Sequence, residues 1–170
     1  GLPGSSPFQK GDVVGIDLGL IYEGKYFLDS ARTVGVGEVG ADMEKLIAVT
    51  KESLQRGIAA TKIGNRTGDI GFAIQTYVEG EGFDVVRQLV GHGVGYGVHE
   101  SPQVPNFGEP GTGVKLKNGL VIAIEPMVTI GDPSIETGED GWSVRVTTGD
   151  KTAHFEHTVA VTKDGPRVLT

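Results

Sequence analysis

Four carboxylates and two imidazoles occupy places where such groups are costly or unusual. Asp17 falls inside the apolar stretch GDVVGIDLGLIY (11–22), and Asp29 inside KYFLDSARTV (25–34). Glu125 closes the run Leu120-Val121-Ile122-Ala123-Ile124, and Glu156 lies in TAHFEHTVAVT (152–162). His92 and His99, two of only four histidines, share GHGVGYGVHESPQV (91–104), with glycine at every second position from Gly91 to Gly97. A carboxylate taken out of water is destabilising unless it is paired, and a like charge beside it makes matters worse. One histidine with four carboxylates suits a pair of hard-to-borderline divalent cations. Two such ions can share a water, lower its pKa towards neutrality and supply hydroxide for attack on a carbonyl.

Each residue also has a plainer reading. One or both aspartates could face solvent. Glu125 could pair with a buried arginine, for which Arg32, Arg87 and Arg145 are available. Strict alternation puts His154, Glu156 and Thr158 on one face of a strand and Phe155, His157, Val159 and Val161 on the other. Taken alone, the face with Glu156 reads as a solvent face, and only the company of the other acids argues against that. His92 and His99 are seven residues apart, so a regular strand would point them to opposite sides. Either they do different jobs or the glycines bend the chain. A phosphate loop is a poor fit. GHGVGYG lacks the G-x-G-x-x-G spacing, Val114 stands where a P-loop after Gly108 needs lysine, and Gln103 breaks any H-E-x-x-H after His99.

The elements that must position these groups follow from the apolar patterning. Residues 11–22 and 25–34 are rich in β-branched and aromatic residues and flank Glu23-Gly24, which predicts a β-hairpin. A turn centred on Glu23 puts Asp17 directly opposite Asp29, with Cβ atoms roughly 4.5 to 5.5 Å apart. Residues 39–60 carry Met43, Leu46, Ile47, Thr50, Leu54 and Ile58 at helical spacing. Residues 67–83 repeat the pattern, with Thr67 as N-cap, Asp69 in the first turn, and Ile70, Ala73, Ile74 and Tyr77 inward. Residues 84–93 form a strand leading into the histidine segment, and 118–130 one strand buried on both faces. Pro126 holds Glu125 extended at a strand end or bulge. Residues 142–148 and 152–162 read as a final antiparallel pair, and 131–141 as a polar surface loop. The order ββ-α-α-β-β-β-β predicts an α+β fold, helices covering a curved antiparallel sheet.

Composition narrows the function. The 170 residues are 38% apolar and 22% charged, enough for one compact domain. No stretch approaches the ~18 to 20 apolar residues of a membrane span, and no signal-like start is seen. The net charge of −7 argues against nucleic acid as a main partner. Cysteine is absent, which removes disulfides, zinc–thiolate sites and thiol nucleophiles and makes a cytoplasmic setting the default.

The set IDLG (16–19), LDSART (28–33), GHGVGYGVHESPQV (91–104), IEPMV (124–128) and FEHTVAVT (155–162) resembles the type I methionine aminopeptidases, in order and spacing, over nearly the whole chain. The resemblance implies the pita-bread (creatinase/aminopeptidase-like) fold. It implies a cytoplasmic enzyme with two divalent metal ions (Co, Mn, Fe or Zn) that removes the initiator methionine from nascent chains by attack of a metal-bridging hydroxide on the first peptide bond. Asp17 would chelate one ion, His92 and Glu125 the other, and Asp29 and Glu156 would bridge them. Glu125 would also shuttle the proton of the bridging water. His99 would hydrogen-bond the substrate and steady the oxyanion, while Trp142 and Val98 would line the side-chain pocket. His154 and His157 read as structural. Met127 favours this branch over the Xaa-Pro peptidases of the same fold, which usually carry glycine there. A non-catalytic pita-bread binding module would be expected to have lost ligands, and here all five stand; an inactive fragment would keep them without the activity. Family members are longer at the N-terminus, and Gly1 matches the glycine of a His-Gly pair. Residues 1–170 would thus be a single catalytic metallopeptidase domain lacking its N-terminal lobe, with an open apolar sheet edge and that lobe as a partner.

Overall fold

The structure, a computed structural model, describes residues 4–170; Gly1 and the expectation attached to it lie outside them. The chain begins with the hairpin β1 (Val13–Tyr22) and β2 (Tyr26–Gly35), followed by the helices α1 (Ala41–Ala60) and α2 (Thr67–Gly80). Short strands come next: β3 (Asp84–Val85), β4 (Gly91–Gly93), β5 (Glu100–Val104), β6 (Val121–Ile124) and β7 (Met127–Thr129). The chain closes with β8 (Ile135–Thr137), β9 (Val144–Val146), β10 (Thr152–His154), β11 (Glu156–Thr162) and β12 (Gly165–Val168).

The main sheet runs β1-β2-β11-β6-β4-β5, with β12 also on β11; β10-β7-β3 and β8-β9 form smaller sheets. Every pairing among these strands is antiparallel. The helices cover the sheet with the faces their spacing predicts. Leu46, Thr50, Leu54 and Ile58 of α1 and Ile70 and Ile74 of α2 are buried, and Val78 joins them. A Cβ on Gly57 would come within 2.9 Å of Ile74 and 3.2 Å of Ile124, so α1, α2 and β6 meet at a glycine. Helix α2 is capped one residue earlier than expected. Arg66 is the extended flanking residue, Thr67 opens the helix, and the Asp69 carboxylate accepts the Arg66 N–H (2.7 Å).

Three expectations are corrected. The first is the hairpin register: the turn is Glu23-Gly24-Lys25, with Glu23 and Gly24 at positive φ, and it is centred one residue later. Asp17 therefore faces Ala31, and Asp29 faces Gly19. The shift is two residues along one partner, so both aspartates keep a common face as diagonal neighbours. The second is continuity. The strand read over 118–130 breaks at Glu125-Pro126, where Pro126 predicts a strand end or bulge, with β6 in the main sheet and β7 in a smaller one; the strand read over 152–162 breaks at Phe155 in the same manner, and the strand read over 84–93 splits into β3 in the smaller sheet and β4 in the main one. Pro126 has no N–H to donate, and its carbonyl takes the Phe155 N–H (3.3 Å), so the two breaks share one corner. The third is the final pair. Residues 144–146 pair with β8, inside the segment read as a loop, and β10 pairs with β7. Strand β1 is the open edge of the sheet, and Ile16, Leu18 and Leu20 lie exposed along it.

Candidate metal centre

The corner between the sheets gathers the acids. Asp17 (β1) and Asp29 (β2) arrive from the hairpin, His92 from β4, Glu125 from the break after β6, and Glu156 from the first position of β11. One ligand atom each of Asp29, His92 and Glu156 lie within 4.8 Å of one another. His92 Nε2 is 3.3 Å from Glu125 Oε1. Glu156 is only 2% exposed, which rules out the solvent-face reading. Asp17 differs: its side chain is 62% exposed.

The glycines around His92 have a packing role. A Cβ on Gly91 would collide with the Ala123 carbonyl oxygen, and one on Gly93 with the Ser101 carbonyl oxygen. Strand β4 thus passes between β5 and β6 at a separation only glycine allows, which brings His92 to the corner. His92 Nδ1 lies 3.0 Å from the Gly93 carbonyl. A carbonyl can only accept, so Nδ1 carries the proton and the Nε2 lone pair faces Glu125 and the acids. His99 follows on the loop before β5, exposed, with its ring 4.3 Å from that of His92 in an edge arrangement. The two imidazoles therefore meet at one place despite their odd spacing.

Among the described residues no arginine pairs with these acids. Arg87 pairs with Glu79 and Arg145 with Glu136, both at the surface. Burial pushes the Glu125 carboxyl up to about 8, with the Asp17 and Asp29 charges adding to it. Burial pushes Glu156 to about 9, helped by Glu125, Asp29 and Asp17. Burial also pulls the His92 imidazole below its usual range, against the opposing bond to Gly93. Two glutamic acids that resist ionising together, beside a neutral imidazole with a free lone pair, are a donor set that fits divalent cations.

Asp17, His92, His99 and Glu125 line a cavity of about 800 Å³; Asp29 and Glu156, close to His92, are not in its lining. Val86, Leu89, Met127, Ile135, Val144 and Val146 make it apolar on other sides. Trp142 and Val98 are not in the lining; Trp142 is 70% exposed, two residues before Val144. Sequence reasoning missed His154. It lines the cavity, with Nε2 3.8 Å from Glu125 Oε2 and Nδ1 3.9 Å from Asp17 Oδ2, and its buried Nε2 has no hydrogen-bond partner among the described residues. Its alternation with Glu156 was the available signal. Asn106 was also missed: fully buried, it donates its amide to the Glu125 carbonyl (3.0 Å) at the strand break.

Over residues 1–163 the sequence matches the model of metallopeptidase family M24. The chain belongs to this family, and the fold above is its pita-bread fold. Within the family its similarity is to methionine aminopeptidases. It is 50% identical over 170 residues to the methionine aminopeptidase of Clostridium perfringens, covering all of this chain and 68% of that protein. The crystal structure of the Thermotoga maritima methionine aminopeptidase superposes with a TM-score of 0.93 at 47% identity, over 96% of this chain and 65% of that one. The chain thus spans about two thirds of the length of these relatives. A prolidase from Pyrococcus furiosus is more distant, at TM-score 0.79 and 27% identity. None of the helices among the described residues is long and apolar enough to cross a membrane.

Proposed function

We propose that residues 1–170 form the metal-binding catalytic domain of an aminopeptidase that removes N-terminal methionine from newly made polypeptides. The observation that carries this is the corner itself: half-buried Glu125 and buried Glu156 converge with Asp29 and His92, with no lysine or arginine paired to them among the described residues, beside a cavity that His92 and Glu125 line. Asp17, Asp29, His92, Glu125 and Glu156 would hold two divalent ions (Co, Mn, Fe or Zn), Asp17 from the exposed side. Such ions activate water and polarise a carbonyl.

The chain's own residues do the rest. Glu125 borders the cavity and can take a proton from the attacking water and return it to the departing amine. His99, exposed at the same cavity, donates a hydrogen bond to the carbonyl oxygen as its charge grows. Met127, Ile135 and Val144 offer an apolar wall for an unbranched thioether side chain. Trp142 and Val98 would meet substrate only at the rim. The test is a paired assay with Mn(II) or Co(II) on Met-Ala-Ser and Ala-Pro peptides, using the protein that carries this chain. Release of methionine from the first, abolished by Asp29→Ala, is expected. Cleavage of Ala-Pro alone would favour the Xaa-Pro reading. No cleavage of either would leave a binding module.

A further inference from the structure

Strands β2 and β11 pair in register only at Glu156↔Ala31 and His157↔Ser30. Two positions from Glu156↔Ala31 in the same register, on each side, a threonine hydroxyl stands in for the ladder. Thr158 Oγ1 accepts the Asp29 N–H (2.8 Å) and donates to the Asp29 carbonyl (2.8 Å). Thr33 Oγ1 does the same to the backbone of His154, at 2.8 Å in both directions. Each hydroxyl has one proton and free lone pairs, so it satisfies both groups at once. Both threonines are buried, Thr158 completely. The strands thus diverge by the width of one hydroxyl on either side of Glu156. Thr170 Oγ1 adds a contact to the Asp29 carbonyl at 3.3 Å and accepts the Thr158 N–H at 3.1 Å.

We propose that Thr158 is a positioning residue for Asp29, its hydroxyl fixing the backbone from which the Asp29 carboxylate reaches the metal ions. The proposal rests on Asp29 being a ligand. Regular backbone pairing would draw β2 towards β11 and crowd Asp29 against Glu156. Loss of the hydroxyl would leave the part-buried Asp29 N–H without this partner and its carbonyl with only the Thr170 contact, and free the segment to shift. Groups that hold ligands in place affect metal affinity by about 10- to 100-fold.

The test measures Co(II) affinity and the visible Co(II) spectrum for the wild type, Asp29→Ala, Thr158→Val, Thr158→Ser and Thr33→Val. Thr158→Val should bind about 10- to 100-fold more weakly, with an altered spectrum. Thr158→Ser keeps the hydroxyl and should match the wild type. Thr33→Val removes the same two bonds from His154 and should leave affinity near the wild-type value, even where it lowers thermal stability. If Thr158→Val does not fold, Thr158→Ala is read by the same criterion. Wild-type affinity and spectrum in the folded Thr158 variant, with Asp29→Ala impaired, would overturn the clamp alone. Unimpaired binding by Asp29→Ala would overturn the ligand reading and the clamp together.

Discussion

The interior and the edge of the main sheet treat their acids differently. Glu125 and Glu156 sit on or beside inner strands, the first half-buried and the second buried, with carboxyls pushed up to about 8 and about 9. Asp17 sits on the edge strand, largely exposed to water. Solvation already stabilises the edge charge, whereas the inner carboxylates have only one another and two imidazoles. The inner group therefore creates the demand for cations, and the edge group adds charge at little cost to the fold.

Changes to the inner group should have the largest effect. Glu156→Gln keeps the shape and removes the charge; it should lower kcat/KM for a Met-Ala-Ser peptide by about 10³-fold or more, as expected when a metal site is dismantled. The metal-free variant should melt no lower than the wild type at pH 9, where the native carboxylate is most strained. Next is the packing that delivers His92. Gly93→Ala puts a Cβ against the Ser101 carbonyl oxygen and should destabilise the fold by about 1–3 kcal/mol, read by urea denaturation, with metal affinity lost in parallel.

The pH dependence has a definite sign. A carboxyl whose folded pKa is raised binds its proton more tightly when folded. The stability it lends is full below the ordinary value of 4.5 and drains away as pH rises through about 8 and 9. The melting temperature of the metal-free protein should fall across that window, and saturating Mn(II) should flatten the fall. The smallest effect belongs to the edge. Asp17→Asn should weaken Mn(II) binding by about tenfold and, by removing one of the charges that push Glu125 and Glu156 up, raise the metal-free melting temperature only slightly and only at alkaline pH; a loss of stability as large as that of Gly93→Ala would erase the contrast between edge and interior.

How much of this was legible in the sequence follows the same divide. The helices were readable because Leu46, Thr50, Leu54 and Ile58, then Ile70 and Ile74, keep one period against one neighbour. The acids were readable because each interrupts an apolar run. What could not be read depended on where the chain changes sheets. Pro126 marks a strand end or bulge, but nothing in the residues around Glu125-Pro126 or Phe155 says that the chain crosses there from one sheet to another. The hairpin register turned on Glu23 and Gly24 both taking positive φ. The pairing of β8 with β9 was hidden in a polar segment with few apolar positions. Thr33 and Thr158 looked like ordinary strand residues, since their role depends on the gap between strands.

The central claim is that the buried carboxyls hold protons until divalent cations replace them. Calorimetric titration of Mn(II) into metal-free protein at pH 7, in two buffers of different ionisation enthalpy, tests it most directly. The predicted result is a buffer-dependent heat corresponding to release of up to about two protons, from Glu125 and Glu156. Equal heats in both buffers, with Mn(II) bound, would contradict it.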